Sequence, residues 1–119
     1  MQTPREVAES YWAAECRRDI AAVMDHYLPE ATYQDGGGLL VGQAAIRTFY
    51  DGSMGDFPGL TVEILREFTA SADTSAFEVH AVLTDHDGAR SVIEGLIAIT
   101  VRDGKMLHIR CYEDLLRPA

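Results

Sequence analysis

The hydrophobic pattern changes its period near the middle of the chain, and this change limits the folds that the chain can adopt. In the first half, apolar residues recur at helical spacing, as in Val7, Ala8, Tyr11 and Trp12. From Leu60 onward they alternate with polar residues, which is typical of strands with one face in a core. Helices that precede a run of strands predict an α+β fold, with the helices packed on one face of a curved antiparallel sheet.

Local start and stop signals predict the bounds of these elements within a single domain, residues 1–119. Thr3-Pro4-Arg5-Glu6 is typical of a capping box with proline in the first turn, and it predicts a helix over 4–17. Asp19 caps a short second helix that ends before Leu28-Pro29. We expect a third helix over 43–54, strands over 31–35, 60–69, 76–84, 90–101 and 105–114, and hairpin turns at Asp87-Gly88 and Asp103-Gly104.

Composition excludes several classes of protein. A chain of 119 residues can build a core without disulfides or a structural metal. Its 19 acidic against 10 basic residues, a formal net charge of -9, repel nucleic acid and anionic membrane surfaces. Cys16 and Cys111 lie far apart, without metal-ligand spacing, which favours reduced thiols. With no apolar run near the ~18 residues of a membrane span, we expect a soluble cytoplasmic protein, and the spacing of its cysteines and histidines predicts no metal site.

The segment from Val92 to Val101 is apolar on both faces, which is unusual for its predicted place in the sheet. An antiparallel strand that helices cover on one side normally has a polar second face. We expect Ile93, Ile97, Ile99 and Val101 to form an apolar patch on the open side of the sheet. The simplest cover for such a patch is a second copy of the chain, so the sequence predicts a homodimer.

Two carboxyl groups are candidates for chemistry. Glu94 lies inside that apolar segment, where an unpaired carboxylate costs several kcal/mol. It is therefore either protonated in an apolar pocket, where it can stabilise an oxyanion, or paired with Arg90 or Arg110. Asp35 ends a strand just before three glycines, so it is either an ionised carboxylate that faces a cavity or an ordinary turn residue.

Three tyrosines, Tyr11, Tyr27 and Tyr50, fall on the predicted inner faces of the helical segments. A buried phenol needs a hydrogen-bond partner, and these three can satisfy one another. Tyrosines in such positions are often packing residues. The histidines offer less, because His80 and His108 are predicted on the outer face of the sheet.

The order of these residues resembles the ketosteroid isomerase branch of the NTF2-like (SnoaL-like) superfamily. The similarity runs through Tyr11, Asp19-Ile20 and Tyr27 to Ala31-Thr-x-x-Asp35. It continues in Gly42-x-x-x-Ile46-x-x-Phe49-Tyr50, in Val92-Ile93-Glu94 and in Gly104-Lys105-Met106 before Tyr112. The resemblance implies the cone-shaped NTF2-like (cystatin-like) fold.

The resemblance also implies a role for each residue. Asp35 is similar to the family's general base, Tyr11 to its oxyanion-hole phenol, and Glu94 to the acid that stays protonated there. Tyr27 and Tyr50 are similar to the supporting phenols. The implied reaction is proton transfer alpha to a carbonyl of a small hydrophobic substrate, without a cofactor. The substrate pocket is expected to include Phe49, Phe77, Val79, Val92, Ile109, Cys111 and Glu113.

This chain departs from the family pattern at three places. Gly36 stands where the family usually has proline after the base. Counted back from Gly104, the acid falls on Leu96 rather than Glu94. Glu113 stands where the family tends to have a bulky apolar residue, which suggests a more polar substrate than a steroid. One alternative is a polyketide cyclase or an epoxide hydrolase; such hydrolases use pairs of Asp and Arg, and Arg110 and Asp114 resemble such a pair. The other alternative is a non-catalytic ligand-binding or dimerisation module.

Overall fold

The computed structural model describes residues 2–113 and 117–118 and begins with the predicted capping box. The Thr3 hydroxyl accepts a hydrogen bond from the Glu6 amide at 3.1 Å, and the Glu6 carboxylate accepts one from the Thr3 amide at 3.0 Å. Asp19 caps the second helix through the amide of Ala22. The helices are α1 (Pro4–Cys16), α2 (Ile20–Asp25) and α3 (Gln43–Asp56).

The strands agree with the predicted alternation, although the first begins earlier than expected. It includes Leu28-Pro29, and its pairing shifts register between Tyr27 and Thr32, the stretch that contains Pro29. Proline has no amide hydrogen to donate to a neighbouring strand, which explains an irregularity there. The strands are β1 (Tyr27–Asp35), β2 (Gly38–Val41), β3 (Gly59–Thr69), β4 (Thr74–Thr84), β5 (Arg90–Arg102), β6 (Lys105–Glu113) and β7 (Arg117–Pro118).

The sheet has the order β2-β1-β6-β5-β4-β3, with β7 paired to β5. The helices cover one face of this curved sheet, as the α+β prediction requires. The sheet is mixed rather than antiparallel throughout, because β1 lies parallel to β6. This pairing joins the segment between the helices to the end of the meander. It therefore brings the end of β1 beside the end of β6.

Strand β4 shows which side of the sheet is the core. Phe77 and Val79 are buried, while Glu78 between them is partly exposed. Phe77 lies opposite Ile97 of β5, so Ile97 also faces the helices. Ile99 and Val101 share this inner face and are 0% and 5% exposed.

The prediction of an outer patch on β5 is therefore wrong, because it assigns the side chains of this strand to the opposite faces of the sheet. Ile93, Ile97, Ile99 and Val101 face inward, and their neighbours along the strand face outward. Side chains alternate between the two faces of a strand, so a shift of one position exchanges the whole set. Both sets are largely apolar in β5, and the pattern alone does not distinguish them.

The core lies between the inner face of the sheet and the three helices. Its largest fully buried side chains include Tyr27, Tyr50, Phe77 and Ile46. In the part of the chain that the structure describes, no helix is both long enough and apolar enough to cross a membrane.

Candidate active site

An apolar pocket opens between the helices and the inner face of the sheet. It encloses about 140 Å³. Both layers of the domain contribute side chains to it: α1 and α3 from the helical layer, and β1, β3, β4, β5 and β6 from the sheet. Its apolar wall includes Leu60, Val62, Val79, Ala81, Leu83, Ile93, Ile97 and Ile109. Polar groups enter this wall at a few positions, which is the usual composition of a small-molecule site.

The three predicted tyrosines form one hydrogen-bonded chain in the core. Tyr50 is the central member, since its hydroxyl contacts the hydroxyls of both Tyr11 and Tyr27, the latter at 2.7 Å. All three residues are at most 2% exposed, and Tyr11 and Tyr50 line the pocket. Each phenol has one proton to donate. When Tyr27 donates to Tyr50 and Tyr50 donates to Tyr11, the Tyr11 proton is left for a ligand in the pocket.

The surroundings keep these phenols neutral. Burial raises the pKa of Tyr11 well above its usual value, and the negative charge of Glu15 raises that pKa further. Burial also raises the pKa of Tyr27 and Tyr50, with a further contribution from Glu15 in both cases. A neutral phenol is a hydrogen-bond donor, so Tyr11, at the end of the hydrogen-bonded tyrosines, can stabilise a negative charge that develops on a ligand oxygen.

Asp35 reaches the pocket from the end of β1. The hairpin to β2 pairs Asp35 with Gly38, and the Asp35 Oδ1 atom accepts a hydrogen bond from the Gly37 amide at 2.7 Å. A Cβ atom added at Gly37 would lie 3.1 Å from that oxygen, and Gly38 has a φ of +132°. The glycines thus allow a tight turn that holds the carboxylate while leaving it half-buried and within reach of a ligand.

Glu94 lies on the other side of the sheet, and its expected place beside Tyr11 is wrong. It pairs with His80 across β4 and β5, with 3.9 Å between His80 Nδ1 and Glu94 Oε1. Its side chain is 43% exposed. Leu96 and Val92 have the same strand parity, so they also face outward and away from the pocket. The sequence analysis assigned the two faces of β5 the wrong way round, and Ile93 and Ile97 face the pocket instead.

The other predicted pocket residues divide into three groups. Phe49, Val79, Ile109 and Cys111 line the pocket as expected. Phe77 faces inward but packs against the edge of Trp12, with 5.7 Å between ring centroids, and it is not part of the pocket wall. Glu113 pairs with Gly95 through the backbone, but its side chain lies outside the described part of the structure, as does Asp114.

Sequence reasoning missed six residues of the apolar wall: Leu60, Val62, Ala81, Leu83, Ile93 and Ile97. It also missed four pocket residues with aromatic or polar side chains: Trp12, Glu15, Tyr33 and Ser53. For two of these four, the spacing in the sequence could have predicted their place in the pocket. Glu15 follows Tyr11 by four residues in a helix, which puts both side chains on one face. Tyr33 precedes Asp35 by two residues in a strand, which also puts them on one face. Of these four, Glu15 is the residue that adds a carboxyl group to the pocket.

The remaining candidates lie away from the pocket. His108 contacts the Thr32 hydroxyl at 2.7 Å. Arg110 stacks over the exposed ring of Tyr112 at 4.9 Å. Among residues 2–113 and 117–118, no group of three His, Cys, Asp or Glu side chains is arranged to hold a metal ion.

Solved structures with the same fold include two enzymes and one complex with a small molecule. A Δ5-3-ketosteroid isomerase from Mycobacterium sp. matches with a TM-score of 0.87 at 18% identity, over 99% of this chain and 100% of that one. A Mycobacterium tuberculosis protein in complex with estradiol-17β-hemisuccinate matches at 0.84 and 21% identity, over 96% of each chain. An M. tuberculosis epoxide hydrolase of the LEH-like type matches at 0.79 and 21% identity, over 92% of this chain and 80% of that one.

No curated protein sequence matches the chain. The family model for the SnoaL-like domain does match, over residues 8–109. This range begins inside α1, ends inside β6 and includes most of the pocket wall. Family model, fold and pocket agree, and the chain belongs to the SnoaL-like domain family of the NTF2-like superfamily.

Proposed function

We propose that the protein is a cofactor-independent isomerase that moves a proton alpha to the carbonyl of a small hydrophobic substrate. One observation carries this proposal: the Asp35 carboxylate and the Tyr11 phenol line the same apolar pocket. A base for the carbon-bound proton and a donor for the carbonyl oxygen are the two groups that such a reaction needs.

The reaction follows from these two groups. In a β,γ-unsaturated ketone, Asp35 accepts a proton from the carbon alpha to the carbonyl. The electron pair of that C–H bond forms a carbon–carbon double bond, and the π pair of the carbonyl group moves to its oxygen. The resulting enolate accepts a hydrogen bond from Tyr11, which Tyr50 supports from behind. Asp35 then returns the proton to the gamma carbon, the enolate collapses to a conjugated ketone, and the carboxylate is restored. Substrate and product are isomers, so no other reactant is consumed.

The inner face of β5 makes Tyr11 especially important. Ile93 and Ile97 line the pocket there, and neither has a proton to donate. Removal of one donor from an oxyanion site typically lowers kcat by about 100- to 1,000-fold. Because β5 adds no acid, we expect Tyr11→Phe to lower kcat at least that far. The apolar wall strengthens the Tyr11 hydrogen bond, since little water competes with it.

The volume of the pocket limits the size of the substrate that it can enclose. A cavity of about 150 Å³ is large enough for benzene, so the enclosed 140 Å³ suits a single ring. A larger ring system would extend through the mouth. The shared fold of the Mycobacterium ketosteroid isomerase and of the protein bound to estradiol-17β-hemisuccinate supports fused-ring ketones as a second class to test.

The test follows conjugation of the carbon–carbon double bond by ultraviolet absorbance. Suitable substrates are a β,γ-unsaturated cyclohexenone and a β,γ-unsaturated ketosteroid. We compare wild type with Asp35→Asn and with Asp51→Asn, a control whose side chain on α3 is 61% exposed. The proposal expects turnover that Asp35→Asn removes and Asp51→Asn retains. Equal turnover in all three proteins would exclude Asp35 as the base.

A non-catalytic ligand-binding module is the second candidate, and the isoleucines of β5 favour it. Such a module would bind a phenol in the pocket but convert no ketone. An epoxide hydrolase or cyclase with paired Asp and Arg has less support, because no arginine lines the pocket among the described residues. Turnover of the unsaturated ketones separates the isomerase from both.

We also propose that the protein is a homodimer, through the outer face of the sheet rather than through the β5 residues first predicted. Leu65, Phe68 and Tyr112 are about half exposed and border a groove on the outer face of the sheet, together with Leu96. Burial of these side chains against a second copy removes apolar area from water. Such a dimer leaves the pocket on the opposite face open to substrate.

A further inference from the structure

Glu15 is the feature of the pocket that the proposed reaction does not use. It lies in the last turn of α1, lines the pocket, and has a side chain that is 16% exposed. It shares a helix face with Tyr11, one turn away. The proton transfer proposed above needs one base, so a second carboxyl group in the same apolar cavity requires another explanation.

Glu15 and Asp35 approach the pocket from opposite sides. Cys16, the neighbour of Glu15, borders a second groove together with Val62 of β3. The Arg18 guanidinium donates to the Phe57 carbonyl at 2.8 Å, which anchors the end of α1 near the start of β3. Asp35 belongs to β1, and three strands separate β1 from β3.

The local chemistry determines what Glu15 can bind. Arg18 Nη1 lies 4.0 Å from Glu15 Oε1, so the two side chains form an ion pair at the edge of the pocket. An ionised carboxylate only accepts hydrogen bonds. The wall on its side of the pocket is otherwise largely apolar, with Leu60, Val62 and Leu83. A ligand group that fits there must therefore donate a hydrogen bond, whereas a carbonyl or ether oxygen would be repelled.

We propose that Glu15 is a specificity-determining residue that accepts a hydrogen bond from a hydroxyl or ammonium group on the substrate. This group lies at the end of the substrate away from the carbon that Asp35 deprotonates. The inference rests on the proposed function, since it assumes that the carbonyl end binds at Tyr11. It narrows the substrate class to apolar cyclic ketones with a hydrogen-bond donor at the far end.

Matched phenols test this inference, because a phenol mimics the enolate at Tyr11. Hydroquinone has a hydroxyl group at the far position, whereas p-methoxyphenol has a methoxy group there, which accepts but cannot donate a hydrogen bond. Estradiol and estrone differ in the same way across a longer ring system, so the two pairs cover two spans. Calorimetry measures the ratio of affinities within each pair for wild type, Glu15→Gln, Glu15→Leu and Tyr11→Phe. Glu9→Gln is the matched control, since Glu9 lies on the same helix with a side chain 56% exposed.

Wild type and Glu9→Gln should prefer the donor ligand by about tenfold in at least one pair, the size expected for a hydrogen bond to a charged group. Glu15→Gln, whose amide both donates and accepts, and Glu15→Leu should bring that ratio close to one. A ratio that is the same in wild type and both Glu15 variants overturns the inference.

Failure of the proposed function has a different signature. If Tyr11→Phe binds all four phenols as wild type does, or if no phenol binds, the assumed oxyanion site is wrong and the inference fails with it. Circular dichroism and thermal unfolding confirm that each variant is folded. Arg18 contacts the backbone oxygens of Glu15 and Phe57, so the anchor of α1 does not depend on the Glu15 carboxylate alone.

Discussion

Replacement of Tyr50 by phenylalanine tests the central position of this residue in the tyrosine chain. The Tyr50 hydroxyl contacts both Tyr11 and Tyr27 in the core. Its removal breaks two hydrogen bonds and leaves two buried hydroxyls without that partner. At about 1 to 1.5 kcal/mol for each, the free energy of unfolding should fall by about 2 to 3 kcal/mol. Tyr27→Phe breaks one such bond and should cost about 1 kcal/mol.

Guanidinium chloride unfolding measures this difference through the fluorescence of Trp12, the single tryptophan of the chain. Trp12 packs against Phe77 in the core and reports the loss of tertiary structure. Tyr112→Phe is the control, because Tyr112 is 51% exposed and its hydroxyl should contribute little. A cost for Tyr50→Phe no larger than that for Tyr27→Phe would refute the assignment of Tyr50 as the central phenol.

Three further predictions concern pH, Glu94 and assembly. The pKa values of Tyr11, Tyr27 and Tyr50 are raised by burial. The unfolded chain therefore loses these protons first, and stability should fall as pH rises above about 10, by up to about 1.4 kcal/mol per pH unit for each phenol. Unfolding midpoints measured at several alkaline pH values check this, and a flat profile would contradict it. Glu94→Gln should leave kcat/KM within about twofold of wild type in the conjugation assay, because Glu94 faces away from the pocket; a loss like that of Asp35→Asn would contradict the fold described here. Sedimentation equilibrium at micromolar concentration should report a homodimer, and a single monomeric species would exclude that assembly.

Local signals predicted the fold where the two faces of an element differ. The strict alternation around Phe77 and Val79 identified the inner face of β4, and the Thr3 and Glu6 pair identified the start of α1. Strand β5 has apolar residues on both faces, so its parity depends on pairing with β4 rather than on its own pattern. The parallel pairing of β1 with β6 was also missed, because no local signal reports contact between distant strands.

The same distinction applies to the site. Asp35 and the tyrosines were predicted as site residues because their types and spacings match a family pattern, and Asp35, Tyr11 and Tyr50 line the same pocket. Glu94 was predicted to face the pocket because of a motif in β5, the strand whose two faces the sequence pattern did not distinguish. Glu15 was missed because a glutamate in the last turn of a surface helix is usually a solvated residue. Only the packing of α1 on the sheet turns it toward the cavity.

Exchange of alpha hydrogens tests the central claim most directly, since it reports proton abstraction whatever the final product is. A saturated cyclic ketone is incubated in deuterium oxide, and NMR follows the loss of its alpha-proton signal. Wild type should accelerate this exchange above the buffer rate, and Asp35→Asn should reduce the acceleration by about 100-fold or more. Exchange at the same rate with wild type, with Asp35→Asn and in buffer alone would contradict the account.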